Sequence, residues 1–262
     1  MVNLSLPQIV FLSLLGLGSI LIVAYARAYA LAIITATVRS RRNNVISADV
    51  TYDPCDDNDQ APDVSHLVAD LEDLGFAVRG RWLHASNSQA AADITLLENP
   101  RTLDVAKLLE VAAGTRRLVT VLFQCRFEDG TEVATANNPI PAGFPALPGT
   151  TGVWLPEVRD PEQLYRVHAC VSDHLGEYKK RLSVGRDPVA FLTEAHNRRV
   201  AHFVEIGYYY LDKRHGVYRL TWKGAVLITL RLIWPIRPLF QARRRRRTHK
   251  ILYDLGIQLE AA

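Results

Sequence analysis

Cysteine is scarce in this 262-residue chain, with only Cys55, Cys125 and Cys170. Their odd number, wide spacing and lack of any CxxC or CxH pattern argue against a disulfide framework and a zinc ribbon, and indicate thiols of a reducing compartment. The sequence also contains no GxSxG, HExxH, GxxxxGK[ST] or GxGxxG motif. It therefore lacks common sequence signatures of serine hydrolases, zinc peptidases and nucleotide-binding enzymes, although a catalytic triad can still assemble in space.

Charge is missing from residues 2–26. A helix of about 20 apolar residues crosses the ~30 Å hydrocarbon core of a bilayer, so this run predicts a single transmembrane helix, with residues 7–38 contacting the bilayer. Tyr25 and Tyr29 fit the interfacial aromatic belt. A signal peptide cleaved near Ala28-Tyr29-Ala30 is the alternative, but the apolar run exceeds the usual 7–15 residues of such peptides.

Basic residues follow the apolar run and none precedes it. Arg27, Arg39, Arg41 and Arg42 come after the span, which predicts an inner-membrane protein with its N-terminus outside and its C-terminal domain in the cytoplasm. Small residues recur every four positions along the same helix and could let a second helix approach closely, as in a homodimer; simple helix continuity is the alternative. These residues are Ala24, Ala28, Ala32 and Ala36.

Acidic residues are absent from residues 213–250, which contain twelve Lys and Arg, whereas the rest of the chain has 19 basic and 27 acidic residues. A local basic cluster indicates a local polyanionic partner, for which anionic lipid is the leading prediction; nucleic acid and an unstructured basic tail are the alternatives. The predicted contact residues are Arg237, Arg243, Arg244, Arg245, Arg246, Arg247 and Lys250, with Trp234 and Phe240. The adjoining residues 225–236 are apolar but too short to span, so they predict a buried or in-plane helix.

Residues 43–262 show the mixed periodicities of an α+β fold, with helices packed on a mostly antiparallel sheet and a basic helix near the C-terminus. Predicted helices begin at Asp63, at Asp160-Pro161 and at Asp187-Pro188, and a further helix is predicted over residues 104–113. Residues 76–82, 93–97 and 119–136 predict strands; a three-residue turn ending at Gly130 would place Arg126 opposite Glu132.

The sequence predicts that the chain has four parts. They are an anchor and juxtamembrane helix (1–42), an acidic linker (43–62), an α+β domain (63–158), and a helical and hairpin section with a basic C-terminal segment (159–262).

Polar residues gather at one predicted strand end and on the next helix. Thr135, Asn137, Asn138 and His168 are the candidates for lining a pocket, which would favour an enzyme acting on a lipid or small molecule. Turn-capping side chains are the alternative for the asparagines. The histidine spacings place no three ligands on one helical face, so no metal or other cofactor is predicted.

One short segment resembles the wing of winged-helix domains. Two predicted strands, residues 208–211 and 217–221, run into Leu220-Thr221-Trp222-Lys223-Gly224, which matches the Leu-Thr-x-x-Gly helix start of that family over some 35 residues. The resemblance implies nucleic-acid binding through basic residues of the hairpin, here Lys213, Arg214 and Arg219. No helix-turn-helix pair precedes it, and Thr221 as a plain helix cap explains the spacing equally well.

The leading prediction is therefore a membrane-anchored, cytoplasmic-facing interaction or scaffold module whose basic C-terminal segment contacts anionic lipid. A membrane-tethered nucleic-acid-binding regulator and an enzyme acting on a lipid or small molecule are the two alternatives.

Overall fold

A computed structural model describes residues 6–48, 51–55, 62–87, 90–113, 116–139 and 143–257. These ranges contain six α-helices and two β-sheets, which confirms the predicted α+β class. The helices are α1 (Leu6–Asn43), α2 (Pro62–Asp73), α3 (Pro161–Leu175), α4 (Pro188–Glu205), α5 (Trp222–Leu232) and α6 (Ile236–Asp254). The strands are β1 (Val45–Ser47), β2 (Tyr52–Pro54), β3 (Ala77–Asn87), β4 (Ala90–Glu98), β5 (Val105–Ala113), β6 (Arg116–Arg126), β7 (Glu132–Ala136), β8 (Thr150–Trp154), β9 (Tyr209–Asp212) and β10 (Val217–Leu220).

The larger sheet has seven strands, β2 to β8, side by side in chain order. Every neighbouring pair is antiparallel except β7 and β8, which are parallel. At the β6–β7 turn Gly130 has φ 80°, a left-handed conformation that glycine adopts without strain. Arg126 lies opposite Glu132 and Cys125 opposite Val133, so the predicted hairpin register is confirmed.

The helix predicted over residues 104–113 is wrong: this segment is strand β5, in the interior of the sheet. Leu108 and Ala106 face one core, while Val105 and Lys107 face the other side. Because both faces of β5 are covered, its apolar residues do not alternate with polar ones, and their spacing imitates that of an amphipathic helix.

Helices cover both faces of this sheet. On one face α2, α3 and the C-terminal end of α6 bury the main core, which contains Leu71, Phe123, Leu164 and Leu252. On the other face the first turn of α4 buries Phe191 and Leu192 against the sheet. The main core therefore takes side chains from both sides of position 158.

Two helix starts are confirmed in detail. The Asp160 carboxylate accepts hydrogen bonds from the backbone N–H groups of Glu162 and Gln163, and Asp187 accepts one from that of Ala190. Each aspartate is followed by proline at the first helical position, where the missing N–H group has no intrahelical partner to lose.

The smaller sheet has the order β1–β10–β9 and packs on a third core that includes Phe203, Tyr208, Leu220 and Ile228. Its edge strand β1 follows α1 directly, and β2, only a few residues later, belongs to the larger sheet. The polar stretch after α1 thus supplies one strand to each sheet. Residues 49–50 and 56–61 of the predicted acidic linker lie outside the described residues.

Candidate membrane-facing site

Helix α1 has 38 residues, about 57 Å at the usual helical rise. Within the described part of the chain it is the one continuous helix long and apolar enough to cross a membrane, a test that a signal sequence would also pass. Its stretch Leu21–Asn43 has a mean hydropathy of 1.8, with 6% of the most apolar window buried. Ala24, Ala28 and Ala32 of the small-residue series are exposed, whereas Ala36 is half-buried.

Helix α5 lies antiparallel beside the C-terminal third of α1. At one end the Arg41 guanidinium stacks on the Trp222 ring at 4.4 Å, and its Nε donates to the Leu220 carbonyl at 3.4 Å. At the other end the Tyr29 hydroxyl donates to the Trp234 carbonyl. The contacts are about 18 Å apart along either helix, so the two helices run side by side over that length.

A sharp corner joins α5 to α6, whose axes differ by 79°. Four large apolar side chains at this corner are exposed to solvent: Leu232, Trp234, Leu239 and Phe240. Inside the corner, the Arg231 guanidinium donates to the Gly143 carbonyl at 3.3 Å and lies 5.4 Å from the Phe240 ring. The Arg231 contacts therefore stabilise the corner, while its exposed surface is apolar.

The basic cluster divides between two faces of α6. Arg244 and Arg245 lie 5.3 and 5.8 Å from the Trp154 ring, and burial lowers the pKa of Arg244. One turn further on, Thr248 Oγ1 accepts a hydrogen bond from the Trp154 backbone N–H at 3.0 Å, and Leu252 enters the main core. Arg244 is half-buried, whereas Arg245 is exposed, as are Arg237, Arg243, Arg246, Arg247 and Lys250.

The four residues predicted to line a pocket separate into two pairs. Thr135 and His168 are fully buried, with His168 Nδ1 3.1 Å from Thr135 Oγ1. Asn137 Oδ1 accepts a hydrogen bond from the Val121 backbone N–H at 2.9 Å, and the Asn138 carbonyl accepts one from Trp154 Nε1 at 2.7 Å. The asparagines thus hold strand ends, while the other pair lies in the main core.

His168 belongs to a sealed polar network that sequence reasoning missed. Its Nε2 lies 3.3 Å from Ser172 Oγ and 3.7 Å from Asp104 Oδ1, and Asp104 also accepts from Arg181 at 2.9 Å. Burial alone would raise the pKa of Asp104, but its interaction with His168 and the charge of Arg181 bring it below its usual value. His168, Asp104 and Ser172 are fully buried, so this serine–histidine–aspartate group has no opening for a substrate.

Ion pairs between its own side chains stabilise the wing-like hairpin β9–β10. Asp212 Oδ2 lies 2.7 Å from Arg219 Nε and 2.8 Å from His215 Nδ1, while Lys213 and Arg214 are exposed at the tip. Thr221 Oγ1 accepts a hydrogen bond from the Gly224 backbone N–H at 2.9 Å, as a helix cap does.

The described residues contain no group of three His, Cys, Asp or Glu side chains that could hold a metal ion. No protein-family model, no curated protein and no solved structure matches the chain. Its function must therefore be inferred from the chemistry of its own residues.

Proposed function

We propose that the chain is a membrane-anchored interaction or scaffold module whose α5–α6 corner and outer α6 face lie against the inner leaflet of the cell membrane. In this arrangement α1 crosses the bilayer with its N-terminus outside, and the α+β part is cytoplasmic. The hydrogen bond between Tyr29 and Trp234 carries the proposal, because it joins the corner to a fixed level of the anchor.

That level corresponds to the membrane interface. About 20 residues of helix fill the hydrocarbon core. We place the span at residues 9–29 rather than at Leu21–Asn43, because residues up to Ala26 carry no charge; the span then ends near Tyr29, and Arg27 can extend its guanidinium to the headgroups. Trp234 is 64% and Leu239 is 69% exposed at this height, which suits the aromatic and apolar character of the interfacial zone. Because α6 leaves α5 at 79°, it runs close to the membrane plane when α1 stands along the normal.

The exposed charges of α6 support contact with anionic lipid. Arg243, Arg246 and Lys250 are three and four residues apart, so they share one helical face, and each basic side chain near an anionic leaflet contributes on the order of 1 kcal/mol. Arg39 and Arg42 of α1 add positive charge on the same side of the span, as the orientation requires.

The depth of the corner can be measured with lipids brominated along their acyl chains, which quench tryptophan only at short range. In vesicles containing the full chain we expect strong quenching that is mostly lost in Trp234→Phe. Trp222→Phe is the matched control: Trp222 is similarly exposed, at 53%, but lies about 18 Å further from the interface, so its loss should leave the quenching unchanged. Quenching that follows Trp222 rather than Trp234 would contradict the proposed docking.

Selectivity for lipid charge is a separate expectation for the same vesicles. In mixtures of anionic and zwitterionic lipid, brominated anionic lipid should quench Trp234 about twofold more than its zwitterionic counterpart, because basic residues on α6 enrich it locally. The triple variant Arg243→Gln, Arg246→Gln, Lys250→Gln should remove the difference. Lys213→Gln with Arg214→Gln, at the hairpin tip, should preserve it; equal quenching by both lipids in the wild type would rule out this partner.

A further inference from the structure

Four charged side chains form a ring between α4 and the β6–β7 hairpin; ion pairs make two of its sides, and backbone spacing sets the other two. Arg126 pairs with Glu194 at 2.5 Å, and Arg198 pairs with Glu132. Glu194 and Arg198 are one helical turn apart on α4, and Arg126 lies opposite Glu132 in the strand register. The ring therefore alternates in sign and fastens α4 to the sheet.

Lys107 of β5 lies beside this ring without an ion-pair partner. It is 7% exposed, and its Nζ is 5.3 Å from the Phe191 ring, which the Arg126 guanidinium approaches to 5.2 Å. Throughout the described ranges, no carboxylate lies within ion-pairing distance of Lys107. Two cationic groups thus share one aromatic ring inside the protein.

The electrostatics of the cluster favour an added anion. Burial, followed by the charge of Arg199, lowers the pKa of Lys107 to about 7, and Arg126 and Arg198 act in the same direction while Glu132 opposes them. A buried amine without a counter-ion responds in this way because holding its charge in a low dielectric is unfavourable. Together, Lys107, Arg126, Arg198 and Arg199 outnumber the carboxylates of Glu132 and Glu194 by two.

Two unused donors and one exposed carboxylate accompany this excess charge. Arg126 Nε and Arg198 Nε are buried without a hydrogen-bond partner, because each guanidinium contacts its glutamate through Nη2. The Glu194 side chain is 64% exposed and, with Arg198, lines a shallow open groove along α4 that also includes Asp187, Thr193 and Asn197; Lys107 and Arg126 are not among the lining residues, so Glu194 and Arg198 are the points of contact between this groove and the cluster. A carboxylate held at such an exposed position can exchange with an anion from solution.

We propose that Lys107, Arg126 and Arg198 bind the phosphate or sulfate dianion of a small molecule or a lipid headgroup, and that the Glu194 carboxylate occupies this anion site in the free protein. The dianion displaces Glu194 from Arg126, accepts from the unused Nε groups and returns Lys107 to its charged form. The site lies on α4 and β5–β7, away from the α5–α6 corner, and it does not depend on the proposed membrane docking.

Sulfate is a suitable probe because its charge is constant between pH 6 and pH 8. We expect saturable calorimetric binding of sulfate to the full chain in zwitterionic nanodiscs, at ionic strength matched with chloride. Removing the internal competitor with Glu194→Gln should tighten binding about tenfold, and Lys107→Met should weaken it by about the same factor. Affinity in the wild type should rise as the pH falls from 8 to 6, since binding favours protonated Lys107, and this pH dependence should disappear in Lys107→Met.

Glu162→Gln is the matched control, because the Glu162 side chain is 62% exposed, close to the 64% of Glu194, but its partner Arg166 on α3 is exposed whereas Arg126 is buried. It should leave sulfate affinity unchanged. Competition by phosphatidic acid added to the nanodiscs would assign the phosphate to a lipid headgroup, and unchanged sulfate affinity would assign it to a soluble ligand. Absence of sulfate binding, or equal affinity in Glu194→Gln and Glu162→Gln, would overturn the proposal; because Glu194 is exposed, this comparison stands even if Lys107→Met fails to fold.

Discussion

Replacing Asp104 with asparagine should lower the free energy of unfolding by about 3 to 5 kcal/mol. The substitution keeps the shape of the side chain but removes the negative charge that faces Arg181 at 2.9 Å and His168 at 3.7 Å. It also places an amide group where two donors converge in a fully buried space, so one polar group loses its partner. Urea denaturation of the full chain in detergent, followed by far-ultraviolet circular dichroism, measures the change.

Asp173 provides the control for this prediction. It binds the same Arg181 guanidinium, but its side chain is 73% exposed, so Asp173→Asn should cost less than about 1 kcal/mol. Both carboxylates pair with Arg181, but Asp104 is buried and also faces His168, whereas Asp173 is exposed and has Arg181 as its ion-pair partner. Equal destabilisation by both would show that the Asp104 network is not a principal support of the main core.

The pH dependence of the Asp104 contribution follows from the sign of its pKa shift. The folded-state pKa of Asp104 is lowered, so its stabilising effect is complete above the unfolded value of about 4 and is lost as the pH falls through the folded value. The stability difference between the wild type and Asp104→Asn should be constant from pH 8 to about pH 5. Below about pH 4 it should shrink.

Gly224→Ala should destabilise the protein by about 3 kcal/mol, at the upper end of the effects of overpacking. A Cβ at this position would lie 2.5 Å from the Tyr208 carbonyl oxygen and 3.0 Å from the Tyr208 Cα. Because both atoms belong to the backbone, no change of rotamer relieves the contact, and α5 must move away from β9. Thermal unfolding of the full chain measures the loss, and bromolipid quenching of Trp234 should fall with it as the corner shifts.

Gly152→Ala is the comparison for this substitution, since a Cβ at Gly152 meets nothing within 4 Å and its φ is not positive. This variant should stay within about 0.5 kcal/mol of the wild type. If Gly224→Ala were equally neutral, the close approach of α5 to Tyr208 would not support the fold.

Local chemistry made much of this fold predictable. The Asp-Pro pairs at residues 160–161 and 187–188 combine a side-chain cap with a fixed φ, and both mark true helix starts. The β6–β7 register followed from Gly130, because a left-handed residue at the end of a three-residue turn leaves one pairing that matches both faces. In each case a few neighbouring residues determine the geometry.

Contacts between distant residues were not predictable in this way. Strand β5 contains Ala, Lys, Leu and Glu, which favour helices, and its strand form depends on pairing with both β4 and β6. The parallel pairing of β7 with β8 likewise depends on the path of the intervening loop.

The two charged clusters were not predictable either, because each of them joins residues that are far apart in the sequence. The Asp104 network joins residues 104, 135, 168, 172 and 181. The second cluster consists of the ring of residues 126, 132, 194 and 198 with Lys107 beside it. An isolated lysine inside an apolar run was the one signal that could have directed attention to the second cluster.

The packing of α5 along the last third of α1 has a mechanical consequence. Thr37 of α1 is only 4% exposed, and β1 starts two residues after the helix ends, so no flexible linker separates α1 from the sheets. Rotation or tilting of α1 must therefore turn the two sheets and the helices packed on them in the same direction. A partner that rotates α1 would therefore change the orientation of the α4 groove without altering the contacts within the sheets and their helices.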